Sequence, residues 1–402
     1  MLTDVLRDRG AEVLYITELL QDVFCYAAAR DEAITAVLDG AELGDVLGAR
    51  VRDHLAALSP QDLASVLIAG LTPGELRTGS GLVYDLLDPH DFVIDPLPKL
   101  VFTRDASTWV GDQAVVGSLP GTRRREASLM ALIYGHHPRF GGLRSRYVAG
   151  GRQLDGGDVL LLAPGVVAVG VGVRTSPASA EQLASHLLQA GVAHTVLAVP
   201  MNQREGGHLD RVCTVIDTGV VIMVPALAFT LTALTITTRD GELRVSRPQP
   251  FLEAAARAMG IERLTVIDTG IESHPGQATQ WDDGGNALAI SPRVAVCNER
   301  NAETNGRLEA AGFEVITVPG SELGTFRGGP RCLCAAIHRE PVGVQETSGS
   351  AVDVDQPDAA GHDSGEFDSA PHSAPVAGTH VPEPGEPASG RSRRVDELTP
   401  LG

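Results

Sequence analysis

Asp155-Gly156-Gly157-Asp158-Val159-Leu160-Leu161-Leu162-Ala163-Pro164-Gly165-Val166-Val167-Ala168-Val169-Gly170 sets the fold, because its order returns elsewhere in the chain. An acidic, Gly-rich loop enters an apolar strand, Val159 to Ala163. A Pro164-Gly165 turn follows, then a second strand, Val166 to Gly170. Arg174-Thr175, a helix over Ala180 to Gln189, Ala190-Gly191 and a strand ending near Pro200 complete the unit. From Gly284-Gly285-Asn286 the same order returns: strands Ala287 to Ile290 and Val294 to Cys297, a helix from Glu303 to Ala310, and a strand from Phe313 to Val318.

Two looser copies fit. One opens at Asp105, with strands Thr108 to Val110 and Ala114 to Val116 and a helix from Arg124. The other opens at His208, with strands Val212 to Asp217 and Val220 to Val224, a helix over Phe251 to Met259, and a strand Leu264 to Ile267. A strand–strand–helix–strand repeat of roughly 45–60 residues predicts α/β modules arranged pseudo-symmetrically about an axis. Every leading loop then lies at the same end, so the acidic loops should converge.

Upstream, Leu6 to Leu20, with Gly10 and a strand over Glu12 to Ile16, resembles the closing part of a module without its two opening strands. Residues 1–18 are therefore expected to be a remnant of a first module. Residues 19–92 break the repeat. Leu43, Val46, Leu47, Val51, Leu55 and Leu58 recur at helical spacing, and Ser59-Pro60-Gln61-Asp62 starts a further helix. This stretch is expected to be a helical insert, with residues 93–342 holding the remaining modules. From about residue 343 the chain is Ser, Gly, Asp, Glu, Pro and Ala, too poor in apolar surface to offset its ordering entropy, so 343–402 is expected to be a disordered acidic tail.

The formal net charge is −19, with 32 Lys+Arg against 51 Asp+Glu, which argues against nucleic acid as a partner. No apolar run reaches the ~18 residues of a membrane span. Five cysteines, an odd number, and no basic, apolar leader point to free thiols in a reducing cytoplasm. Cys25, Cys213 and Cys297 lie in helix or strand patterns and read as packing residues. Cys332 and Cys334 have no partner pair at zinc spacing, so no metal is expected. Gly170-Val171-Gly172 lacks the third glycine of a dinucleotide loop, and no cofactor is expected.

The chemistry gathers at a few positions. Arg327-Gly328-Gly329-Pro330-Arg331-Cys332 places a thiol in an Arg-flanked loop, a setting expected to keep it accessible and to lower its pKa. His208 and Asp210, two apart in a presumed strand, would share one face. Leu100-Val101-Phe102-Thr103-Arg104-Asp105 reads as an apolar strand ending in two opposite charges, for which a local Arg104–Asp105 pairing is the bland alternative. Asp155 and Asp158 flank a Gly pair, otherwise an ordinary solvent-facing turn. One thiol, one imidazole and several carboxylates suit attack on a cationic carbon such as that of a guanidinium group.

These segments resemble the arginine deiminases of the guanidine-modifying superfamily. The resemblance rests on Leu97 to Asp105, Asp155-Gly156-Gly157-Asp158, Arg174-Thr175, His208-Leu209-Asp210, Gln280 to Asn286, Glu299-Arg300-Asn301 with Glu303-Thr304-Asn305, and Arg327 to Cys332, and it spans about Leu6 to Pro341. It implies a five-module α/β propeller with a helical insert, hydrolysing arginine to citrulline and ammonia without metal or cofactor. By motif matching, Cys332 is the implied nucleophile and His208 the general acid/base. Asp105 and Asp210 clamp the guanidinium, and Asp155 stands where the family usually has glutamate. Arg123, Arg174 and Arg327 match the positions that hold the α-carboxylate. Lys99 stands where asparagine is usual near the amino-acid end. Asp155 is one methylene short, so its contact to the guanidinium or His208 is expected to be ~1 Å too long. Two rivals accompany this reading: a relative that acts on a modified arginine or transfers the amidino group to an amine, and a non-catalytic arginine-binding protein. The expected partner is a small guanidino compound, and a homo-oligomer is left open.

Overall fold

The computed structural model describes residues 1–76, 80–143, 146–201, 207–270, 285–320 and 328–340. The expected acidic tail, Arg327 and the segment Gln280 to Gly284 lie outside the described residues.

Helix α1 (Leu2–Asp8) opens the chain. The expected strand over Glu12 to Ile16 is not formed. Ile16 instead begins α2 (Ile16–Val23), because Leu19, Leu20 and Val23 bury one helical face. Helices α3 (Ala27–Asp39), α4 (Gly44–Ala57), α5 (Pro60–Ala69), α6 (Pro73–Leu76) and α7 (Leu82–Leu86) follow. Ser59 caps α5 by accepting from the Asp62 N–H at 3.1 Å, with Pro60 in the first turn, where its missing N–H costs no hydrogen bond. Phe24, Leu20, Leu47, Leu55, Leu63 and Leu67 form the fully buried centre of this helical region. Phe24→Ala is expected to lower unfolding free energy by about 3–5 kcal/mol, read as a shift in chemical denaturation midpoint at unchanged slope.

Beyond the helices, the structure is mixed α/β. The apolar stretch Leu97 to Phe102 forms turns, not a strand, since Leu97, Leu100 and Phe102 all bury inward. It leads into a short helix, α8 (Thr103–Ala106). Four units then repeat one plan, two antiparallel strands, a helix, and a third strand parallel to the second. The first is β1 (Ser107–Val110), β2 (Gln113–Val116), α9 (Arg124–His136) and β3 (Arg146–Val148). The second is β4 (Val159–Ala163), β5 (Val166–Val171), α10 (Pro177–Gln189) and β6 (Thr195–Pro200). The third comprises β7 (Cys213–Asp217) and β8 (Val220–Met223), and closes on β12 (Thr265–Asp268). Between them lie α11 (Pro225–Ala228), β9 (Thr232–Arg239), β10 (Glu242–Val245), β11 (Gln249–Pro250) and α12 (Phe251–Met259). Strand β9 crosses back to pair antiparallel with β6 of the second unit, an exchange absent from the sequence-based plan. The fourth is β13 (Leu288–Ser291), β14 (Val294–Asn298), α13 (Ala302–Ala310) and β15 (Glu314–Val318).

Neighbouring units share apolar clusters. Val110 and Val115 pack with Val159 and Val167, Leu160 with Val212 and Val221, and Ile216 and Ile222 with Ala287 and Ala295. Helix α1 and Val13 lie against the β13–β15 sheet through Leu6, Leu288, Val296 and Val318. Residues 328–340 then return to the first unit. The Arg104 N–H donates to the Cys332 carbonyl at 3.3 Å, and the Thr103 hydroxyl to the Leu333 carbonyl at 3.0 Å. The leading loops of the units thereby come together around Cys332.

Candidate active site

Asp155 ends its strand-entry loop in a 3-10 turn (Gly156–Asp158), capping it by accepting from the Gly157 N–H at 2.9 Å. Both glycines are required. A Cβ at Gly156 would collide with the Arg104 carbonyl, and one at Gly157 with the His208 ring. Closely packed backbone thus brings His208 onto Asp155, with Nδ1 3.1 Å from Oδ1, while Asp105 lies 3.9 Å from the same nitrogen. The shorter side chain of Asp155 therefore reaches the imidazole directly, against the expected 1 Å gap.

His208 and Asp210 are not in a strand. His208 precedes a 3-10 turn (Leu209–Arg211), and β7 begins only at Cys213. Strand periodicity fails here because Asp158 holds the turn. Its carboxylate accepts from the Leu209 N–H at 2.8 Å and from the Thr175 hydroxyl at 2.6 Å. Both His208 and Asp210 are nevertheless buried. Nor does Arg104 pair with Asp105. It reaches across to Asp210 (Nε–Oδ2 2.8 Å), whereas Asp105 takes Arg123 (3.0 Å). Arg123 is also held by buried Glu126, and Arg174 by Asp155 at 3.1 Å.

Burial opposes charge on His208, but Asp155, Asp210 and Asp105 together outweigh it and raise its pKa to about 9. Burial also presses on Asp155, where His208, Arg174 and the Gly157 N–H win and hold the carboxyl well below its usual range. Asp210 is lowered likewise: burial is outweighed by His208, Arg104 and Arg331. Asp105 moves the other way, since burial and the charge of Asp155 exceed the help of His208 and Arg123. Burial and Asp155 raise Asp158 to about 7. One oxygen of Asp210, Oδ1, is buried and has no hydrogen-bond partner among the described residues.

Cys332 is 4% exposed, so the accessible thiolate expected from its Gly-Gly-Pro-Arg approach is not found in the free protein. Burial, then the charges of Asp210 and Asp105, push the thiol up to about 12. Arg331, whose Nε lies 3.7 Å from Asp210 and whose own pKa burial lowers to about 9, does not offset them. Among the described residues, the side-chain donor to sulfur is Asn286, with Nδ2 2.9 Å from Sγ. Sequence motifs alone give Asn286 no role, although it opens its unit where Asp105 and Asp158 open theirs. Lys99 is exposed and stands outside the buried cluster. Cys213 and Cys297 are buried as expected, but Cys25 is exposed.

Asp105, Asp155 and His208 bring donor atoms within 4.8 Å of one another, close enough to bind a cation. A His208 that keeps its proton has no lone pair to offer a metal at Nδ1. The Asp155 oxygens are already taken by His208, Arg174 and the Gly157 N–H. Such a set suits an organic cation carrying N–H donors better than a metal ion. No helix among the described residues is long and apolar enough to cross a membrane.

The family model described as Arginine deiminase matches residues 1–339. The chain is 49% identical over 344 residues to an arginine deiminase of Rhodococcus erythropolis, covering 84% of this chain and 85% of that one. Against an arginine deiminase of Mycobacterium marinum it is 51% identical over 345 residues, covering 84% and 86%. A solved N-terminal domain of ArgZ, a cyanobacterial arginine dihydrolase bound to product, is 17% identical at a TM-score of 0.44, covering 60% of this chain and 76% of that one. A match across nearly the whole described chain, joined to relatives at half identity, places this protein in the arginine deiminase family.

Proposed function

We propose that this chain hydrolyses the guanidinium of L-arginine to L-citrulline and ammonia through an amidino-thioether on Cys332. The observation that carries the reading is a buried group of carboxylates, Asp105, Asp155 and Asp210, around His208 and a cysteine, with Asp210 Oδ1 unpartnered among the described residues. An isolated buried acceptor costs free energy unless a donor arrives, and a guanidinium supplies several in one plane. Asp105 and Asp210 grip that plane, and Asp155 holds His208. Arg123 and Arg174, with Arg327, take the α-carboxylate; Lys99 stands at the outer, amino-acid end. The fold reading that accompanies this is a five-module propeller, in which α1 and the segment around Val13 stand for the first module. The support is the chain of shared apolar clusters and the return of residues 328–340 to α8. Five free thiols fit a reducing cytoplasm.

The chemistry follows from the charges. Burial, with the charges of Asp210 and Asp105, keeps the thiol protonated while the site is empty; a docked guanidinium neutralises both carboxylates and sets a cation beside the sulfur, so the proton leaves to water. The thiolate adds to the central carbon, giving a neutral tetrahedral adduct. His208 imidazolium protonates one NH2, the C–N bond breaks, and ammonia departs. The neutral imidazole then takes a proton from water as its oxygen adds to the carbon. Collapse breaks the C–S bond and returns the thiolate. The remaining hydroxyl proton is lost, leaving citrulline, and ammonia takes it up. The net change is guanidinium plus water to urea-type product plus ammonium. Purified protein given arginine is expected to release citrulline and ammonia in equal amounts, and acid-quenched samples to carry an amidino group on the Cys332 peptide. Transfer of that group to an added amine without ammonia would show an amidinotransferase. Binding without turnover would show a non-catalytic arginine-binding protein.

A further inference from the structure

We propose that Asn286 is a catalytic residue whose side-chain amide donates to the Cys332 sulfur and stabilises it as a thiolate. The inference deepens the reaction proposed above and rests on it for its catalytic meaning.

Asn286 is buried, 4% exposed, two residues ahead of β13. Its orientation is fixed by its neighbours. The Arg331 N–H donates to Oδ1 at 3.0 Å, which leaves Nδ2 to face Sγ at 2.9 Å. The backbone of Gly329 packs against the amide so closely that a Cβ there would lie 2.8 Å from it. One side chain thus holds the cysteine loop by its acceptor and contacts the reacting atom by its donor.

The choice of residue carries the argument. Two of the other units present carboxylates at this place, Asp105 and Asp158, each accepting from a donor. A carboxylate beside sulfur would add a third anion to the two that already disfavour the thiolate. The amide is the isosteric replacement that keeps the acceptor for Arg331 and turns the other atom into a donor. A thiolate accepts an N–H more strongly than a thiol or a thioether does, so the contact is worth most in two states. One is the attacking sulfur, and the other is the sulfur expelled when the C–S bond of the adduct breaks.

Alkylation of Cys332 by iodoacetamide, followed on its own peptide by mass spectrometry, tests the contact without arginine. At a pH far below the thiol pKa the rate follows the thiolate fraction. In Asn286→Asp, which retains the Arg331 contact, and in Asn286→Ala, the rate is expected to fall about 10- to 100-fold. Citrulline formation should fall with it while arginine affinity stays within a few-fold. A residue that merely fixed the loop would behave oppositely, since loosening would expose a buried thiol and raise the rate. Unchanged or faster alkylation in the folded Asp variant overturns the proposal. Should only the Ala variant fail to fold, the Asp variant decides. Should both fail to give the parent's melting transition, Asn286 is structural and the proposal falls. If the parent makes no citrulline yet the variants alkylate more slowly, the reaction proposed above fails and the sulfur contact stands.

Discussion

Cys332→Ala is expected to reduce citrulline formation by about 10⁴-fold or more while arginine still binds. No other thiol can take over. Cys334 is turned toward the apolar cluster of Leu6, Leu288 and Val318, and Cys213 lies fully buried with its pKa pushed up to about 12. The guanidinium clamp does not depend on sulfur, since Asp105 is held by Arg123 and Asp210 by Arg104. Loss of Sγ leaves the Asn286 amide without its acceptor in a closed site, a cost of about 1–3 kcal/mol that would show in the melting temperature. Cys332→Ser separates the two effects. Its hydroxyl can accept from Asn286, so stability should recover toward the parent, but a serine hydroxyl is a far weaker nucleophile and turnover should not return. Calorimetry with arginine, run beside a citrulline assay, reads both. Turnover within tenfold of the parent in the alanine variant would remove the covalent step from consideration.

The units were legible because their signal is local. A Gly-Gly-Asp or Gly-Gly-Asn entry, a short apolar run, a Pro-Gly or Pro-Arg turn and a second apolar run specify two antiparallel strands with little help from elsewhere. Convergence of the acidic loops followed from the repeat, and the 4.8 Å grouping of Asp105, Asp155 and His208 meets it. What the sequence hid depends on distant residues. Leu97 to Phe102 looks like a strand by composition, but it pairs with no strand among the described residues, and its apolar side chains bury through turns. His208 and Asp210 face the site because Asp158 and Thr175, some 50 and 35 residues earlier, hold the Leu209 backbone in a turn rather than because of a two-residue period. The most instructive miss is Cys332. Flanking arginines promise a low pKa, yet Arg331 is drawn to Asp210, and two carboxylates from other units act on the sulfur instead. Linear proximity of charge is a poor guide when the partner of each charge comes from another unit.

The second large effect concerns His208. His208→Asn is expected to slow citrulline formation by about 10²- to 10⁴-fold, the usual range for a positioned acid/base. Its pH dependence should distinguish this from simple distortion. In the parent, the imidazolium at about 9 must be protonated to release ammonia, so kcat/KM, which reports the free enzyme, should decline as pH rises through about 9. That alkaline limb should vanish in the variant, whose slow turnover relies on water. Stability gives an independent check of the same proton. A folded-state pKa above the ordinary histidine value means that the ion pair with Asp155 stabilises the fold fully below about pH 6.5, and this contribution is lost as pH rises through about 9. The difference in denaturation midpoint between parent and variant should therefore be greatest near pH 6 and shrink by about pH 10. Removing the cation also leaves Asp155 buried with less compensation, so part of the gap persists as that carboxyl competes for Arg174 alone. An alkaline limb retained in the variant at the parent's midpoint would show that some other group sets it, and would withdraw His208 from the proton transfer to ammonia.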